Sequence, residues 1–161
     1  MKRILIFVLL LITILTKSNA QIIRSISPTW IDQVKSRKTD TTYVIHFWAT
    51  WCKPCIGELP QFEKMYNKYR KQKIKIFLVS TDMKKDKDSI LQDFIRKNNI
   101  HAEVLWMNEI NANIWINRVN EEWSGAIPAT LIIQNKRHLK SFHEGTMDES
   151  ELDITLESFI E

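Results

Sequence analysis

Cys52 and Cys55 are the only cysteines in the 161-residue chain, and two residues separate them. Thiols at this spacing can bridge each other, exchange disulfides with another molecule, or offer two soft ligands to a metal. A bridge over so short a gap constrains almost nothing in the unfolded chain, so stapling explains the pair poorly and redox work explains it well. Two elements must position the sulfurs. Thr41 to Trp48, rich in β-branched and aromatic residues, reads as a buried strand. Behind the cysteines the period changes: Cys55, Leu59, Phe62, Tyr66 and Tyr69 form one apolar stripe, which predicts a helix from about Lys53 to Lys71. Cys52 then sits at the helix start, where free N–H groups and the positive dipole end favour a thiolate, and it is the nucleophile by position. Cys55 lies deeper under the helix, as a resolving thiol would.

Phe47-Trp48-Ala49-Thr50-Trp51-Cys52-Lys53-Pro54-Cys55 resembles the active-site segment of the thioredoxin superfamily, a string far longer than a bare Cys-x-x-Cys. The resemblance runs from about Ser27 to the end and implies a thioredoxin-like α/β fold. It also matches Gly125-Ala126-Ile127-Pro128-Ala129-Thr130 to the segment whose cis proline faces the cysteines. In that match Pro128 presents no N–H to the sulfurs, and the Ile127 backbone pairs with an extended substrate. The extra helix and short strand between Thr81 and Pro128 resemble an insertion in the exported TlpA/ResA-like branch. In that branch a glutamate spaced as Glu58 is from Cys55 resembles a proton acceptor for the resolving thiol; an ordinary surface glutamate is the plain reading of the residue. His46 departs from the pattern, because thioredoxin itself has a buried acid there. It is either a buried neutral histidine or a titrating group that tunes the pair. Lys53 and Pro54, between the cysteines, join His46 as candidates for tuning the thiolate, and Trp51 is a flat candidate contact for substrate.

The rest of the chain supplies the frame. Ser27-Pro28 reads as a helix start, with Ser27 as N-cap, before the apolar face Trp30, Ile31 and Val34; Gln21 to Ile26 carries no clear pattern. Pro60 should kink the long helix. Lys73 to Thr81 is a second strand, whose helical connection from the first favours parallel pairing. Met83 to Asp88 reads as a solvated charged loop, and Ile90, Leu91, Phe94 and Ile95 mark a helix ending near Asn98. Ala102 to Met107 is a short strand, and Ile114, Trp115, Val119 and Trp123 fall at near-helical spacing. Ala129 to Gln134 and Leu139 to Glu144 predict a hairpin, and Asp148 to Glu151 resembles a capping box for a last helix bearing Leu152, Leu156, Phe159 and Ile160. The expected architecture is a mixed central sheet, parallel in the middle and closed by a hairpin, with helices on both faces. His101, His138 and His143 read as surface residues.

The chain opens with Met1-Lys2-Arg3, an apolar run from Ile4 to Leu15 and the small residues Ser18-Asn19-Ala20, a secretory signal pattern over residues 1–20 followed by one domain over 21–161. Twelve residues fall short of the ~20 that span a bilayer; an uncleaved anchor is the alternative and the one expected link to a membrane. Three of the 23 basic residues lie in that segment, and the 20 that remain nearly balance 19 acidic ones, which gives no case for nucleic acid. The expected function is an exported, periplasmic or extracytoplasmic thiol-disulfide oxidoreductase. Its redox group is the Cys52–Cys55 pair itself, with no further cofactor and no metal. The resemblance implies the reducing direction, with disulfide-containing exported proteins such as apocytochrome c as substrates and a membrane or periplasmic thiol donor. The alternative from another class is a copper or zinc carrier using Cys52 and Cys55, with His46 or another histidine as a third ligand.

Overall fold

The computed structural model describes residues 21–160; the expected signal segment, residues 1–20, lies outside the described residues. Six strands, β1 (Arg24–Ile26), β2 (Thr42–Trp48), β3 (Ile74–Ser80), β4 (Glu103–Met107), β5 (Ala129–Gln134) and β6 (Leu139–Glu144), form one sheet in the order β1-β4-β3-β2-β5-β6. β1, β4, β3 and β2 are parallel, and β5 runs antiparallel to both β2 and β6. The helices are α1 (Thr29–Lys35), α2 (Lys53–Tyr69), α3 (Gln92–Lys97), α4 (Ile116–Val119) and α5 (Glu149–Ser158).

β2 is buried along its whole length because both of its faces are covered. Alternation sends Val44 and Trp48 into a cluster with Leu59 and Phe62 of α2, Ile95 of α3 and Leu152 and Leu156 of α5. It sends Tyr43, Ile45 and Phe47 into the opposite cluster with Trp30, Ile31 and Val34 of α1 and Val119 of α4. The expected mixed sheet with helices on both faces is therefore present.

Details differ from the expected pattern for local reasons. Pro28, not Ser27, occupies the cap position of α1, and the Ser27 hydroxyl bonds that of Thr29 at 2.8 Å instead of a backbone N–H. α2 ends at Tyr69, two residues early, and runs unbroken through Pro60. Its buried stripe includes Glu58 and Met65, whereas Tyr66 is only partly covered. The charged stretch after β3 forms a 3-10 turn over Lys84–Asp86 and a wide turn over Lys87–Leu91 that leads into α3. Ile114 to Trp123 is mostly not helical: a 3-10 turn and the four-residue α4 suffice to bury Trp115 and Trp123 against Phe47. Asp148 caps α5 by accepting the Glu151 N–H at 2.8 Å, as its capping-box pattern predicts.

Leu131, fully buried in β5, and Ile154, 65% exposed on α5, test this partition. Leu131→Ala should cost about 3 kcal/mol in urea unfolding, whereas Ile154→Ser should stay within about 0.5 kcal/mol of the parent.

Candidate active site

β2 ends at Trp48, and α2 begins at Lys53 with Cys52 as its N-cap in extended conformation. The Cys55 N–H points at Cys52 Sγ at 3.3 Å, so an orphan donor of the helix start addresses that sulfur. The two sulfurs are joined in a disulfide. Cys52 is 6% exposed and Cys55 is fully buried, which orders the pair by access. Lys53 and Pro54 lie exposed on the first turn, and Trp51, 66% exposed, stands immediately before Cys52.

Across from the disulfide, the Ile127–Pro128 bond is cis, and the Ile127 carbonyl oxygen lies 3.7 Å from Cys52 Sγ. Gly125 reaches this segment with φ +93°, a conformation open to glycine at little cost. Trp51, Ile127, Ile110, Ile116, Trp115 and Trp123 line an apolar groove of about 200 Å³ beside the sulfurs.

The loop between β2 and α2 is tied down by Asp82, a residue that sequence reasoning passed over. Asp82 is buried just past the end of β3. Its carboxylate accepts the Thr50 N–H at 3.1 and 3.2 Å, the Thr50 hydroxyl at 2.6 Å and the Ser80 hydroxyl at 2.8 Å. Its carbonyl accepts Trp106 Nε1–H at 2.7 Å. The only signal in the sequence was an aspartate following the polar end of a buried strand.

Behind the disulfide lie two more buried ionisable groups. Glu58, three residues after Cys55 on the same side of α2, is 2% exposed, so the surface reading of this residue is excluded. Burial pushes its carboxyl up to about 7, against the Met147 N–H, which donates to Oε2 at 2.9 Å and favours the anion. His46, fully buried in β2, has its pKa pushed down to about 3 by desolvation and is neutral. Its ring stacks on Phe62 with centroids 4.0 Å apart, Nδ1 lies 3.0 Å from the Thr130 hydroxyl, and Nε2 lies 3.5 Å from Glu58 Oε1. With its nitrogens turned to Thr130 and Glu58, His46 is not presented as a third ligand beside the sulfurs. Of the other histidines, His101 Nδ1 meets the Glu63 carboxylate at 3.3 Å, a pairing that its sequence context did not reveal.

The family comparison fits this geometry. The AhpC/TSA family model matches residues 30–142. The chain belongs to the AhpC/TSA family. Among curated relatives, the sporulation thiol-disulfide oxidoreductase A of Bacillus subtilis is 33% identical over 66 residues, 41% of this chain and 38% of that protein. The thiol-disulfide oxidoreductase ResA of Geobacillus kaustophilus is 27% identical over 114 residues, 71% of this chain and 60% of that protein. The chain thus spans less than two thirds of the length of either relative. Among solved structures, a thioredoxin-related protein from Neisseria meningitidis serogroup B superposes with a TM-score of 0.65 at 19% identity, over 78% of this chain and 89% of that one. The fold is thioredoxin-like.

Two measurements check the buried groups. Asp82→Ala removes the acceptor of three donors and should cost about 3 kcal/mol, with faster hydrogen exchange at the Thr50 amide than at the Val44 amide in mid-strand. Glu58 holds its proton in the folded state between its ordinary value of 4.5 and about 7, where the unfolded chain has released it. Its contribution to stability is therefore complete below pH 4.5 and is lost as pH rises to about 7. Wild type should lose up to about 3 kcal/mol relative to Glu58→Gln across that window; parallel stability curves for the two proteins would contradict the buried acid.

Proposed function

We propose that this protein is an exported thiol-disulfide oxidoreductase that works chiefly as a reductant of disulfides in other exported proteins. The observation that carries the reading is the asymmetric pair at the start of α2. Cys52, the more accessible sulfur, receives a helix N–H and faces Ile127, while Cys55 is sealed beneath it. The two curated relatives, both thiol-disulfide oxidoreductases, support the same class of reaction.

Starting from the dithiol, the Cys52 thiolate attacks one sulfur of a partner disulfide. A Cys52–partner disulfide forms and the other partner sulfur leaves as a thiolate, which takes up a proton. The Cys55 thiol then loses its proton, and its sulfur attacks Cys52 Sγ. The intramolecular disulfide closes and the second partner thiolate departs and takes up a proton from solvent, so the partner gains two electrons from the cysteine pair and two protons. The Cys55 N–H stabilises charge on Cys52 while it is the nucleophile. Lys53 adds little, since an exposed ammonium is screened. Glu58, buried one helical turn from Cys55, is the group to accept the Cys55 proton; a carboxyl near 7 is matched to that transfer at neutral pH. Trp51 and Ile127 flank the reacting sulfur and contact the partner chain, with Pro128 behind them. A thiol donor outside the cytoplasm restores the dithiol, and the N-terminal pattern of Lys2 to Ala20 directs the chain there.

The experiment is reduction of a disulfide-bonded reporter by the pre-reduced protein. Cys52→Ser should abolish it. Cys55→Ser should complete the first step only and accumulate a mixed disulfide, visible as a mass adduct. Retained turnover in Cys52→Ser would sink the proposal. Equilibration with thiol buffers assigns the direction: a potential near or below ~−270 mV fits a reductant, and one near ~−120 mV reverses the assignment.

A further inference from the structure

His46 and Glu58 each leave one buried polar atom without a hydrogen-bond partner, Nε2 and Oε1, and these two atoms face each other at 3.5 Å. Two unpartnered buried atoms in such positions need an explanation. The cross-strand register supplies the first part: His46 on β2 stands opposite Thr130 on β5, which places the Thr130 hydroxyl 3.0 Å from Nδ1. A hydroxyl can donate or accept, whereas an ionised carboxylate can only accept. The one arrangement that serves the whole chain puts the imidazole proton on Nε2, facing Glu58, and turns the Thr130 O–H toward Nδ1. Stacking on Phe62 keeps the ring in that plane.

We infer that His46 is a positioning residue for Glu58, its neutral imidazole donating Nε2–H to Oε1 so that the carboxylate is held by two donors, Met147 N–H on one oxygen and His46 on the other, when it takes up the Cys55 proton. The inference rests on the proton-acceptor role given to Glu58 under Proposed function. The 3.5 Å separation belongs to the oxidised site, and such contacts shorten as charge develops on the acceptor. Because Nε2–H serves a carboxylate and the carbonyl oxygen of a carboxylic acid equally, Glu58 can gain and lose its proton without a change of tautomer at His46.

The surroundings leave this role to His46. Among the described residues, α2 contributes Cys55 and Glu58 itself, and no charged side chain shifts Glu58; burial and the Met147 N–H account for its environment. β5 contributes the Thr130 hydroxyl. β6 places His143 opposite Thr130, but its Nε2 turns to the Thr146 carbonyl at 3.0 Å and its Nδ1 to Glu151 at 3.6 Å. The segment before α5 offers the backbone of Met147.

The test is an infrared titration of the Glu58 carboxyl in the oxidised protein, where no thiol titrates, with Glu58→Gln assigning the band. His46→Phe keeps the stack and removes the donor, so the midpoint should rise by about one unit or more. His46→Gln restores an N–H near the Nε2 position and should return the midpoint to within about half a unit of wild type. The pH profile for closure of the Cys52–Cys55 disulfide should move in step. A midpoint unmoved in His46→Phe overturns the inference. If both variants fail to fold, the ¹⁵N spectrum of the wild-type imidazole decides it: a proton on Nε2 supports the role, and one on Nδ1 rules it out. Wild type that reduces no disulfide would overturn the proposed function, yet the titration and the tautomer would still settle the His46–Glu58 bond.

Discussion

The site depends on one constraint of sheet pairing. β2 is held between parallel β3 and antiparallel β5, so the carboxyl ends of β2 and β3 and the amino end of β5 open at the same edge. Cys52 leaves the first, Asp82 follows the second, and Pro128 precedes the third. Cysteines more than seventy residues distant from Ile127 meet it because seven parallel and six antiparallel residue pairs fix β2 in register. A slip of one residue between β2 and β5 would also turn His46 and Thr130 to opposite faces of the sheet.

That edge has to carry polar groups without letting them drift. Asp82 satisfies donors from the loop and from β3 at once, which turns the link between β2 and α2 from a flexible connection into a fixed one. Fixing matters for the proposed thiol exchange, since the attacking sulfur, the sulfur attacked and the leaving sulfur must fall in line. A buried carboxylate with several donors carries its desolvation penalty well. Asp82 has this full set of donors. Glu58 has a single closed hydrogen bond, from the Met147 N–H.

Much of this was legible in the sequence wherever the signal was local. The cysteine pair, β2, α2, the final hairpin and the cap of α5 announce themselves through period, turn chemistry and capping, all within a few residues of one another. β1 was invisible because only three residues pair and a single one of them is buried. The near-helical spacing around Trp115 and Trp123 corresponds to a helix only over Ile116–Val119, since aromatics so spaced can reach one cluster from a 3-10 turn and a four-residue helix. Asp82 and the partners of His46 were out of reach for another reason. Thr50 lies 32 residues from Asp82, and Thr130 lies 84 from His46, so their contacts are products of topology and not of neighbouring sequence. The resemblance to thioredoxin-like proteins marked His46 as a departure, but only the register shows what it faces.

The exchange of an acid for histidine at that place in β2 has a physical consequence. A second carboxyl behind Cys55 would repel Glu58 and push its proton affinity higher still, beyond the range where it can release a proton at neutral pH. A neutral imidazole adds no like charge. It fills the space against Phe62, spends one nitrogen on Thr130 and leaves the other beside the carboxyl. Burial drives Glu58 upward, and the Met147 N–H draws it back; a balance near neutrality is what the proposed proton acceptor for a buried thiol requires. The same balance explains why the acid is tolerated in the core. With a carboxyl near 7, the neutral and charged forms are both populated around neutral pH, and the Met147 N–H stands ready to meet the charged one.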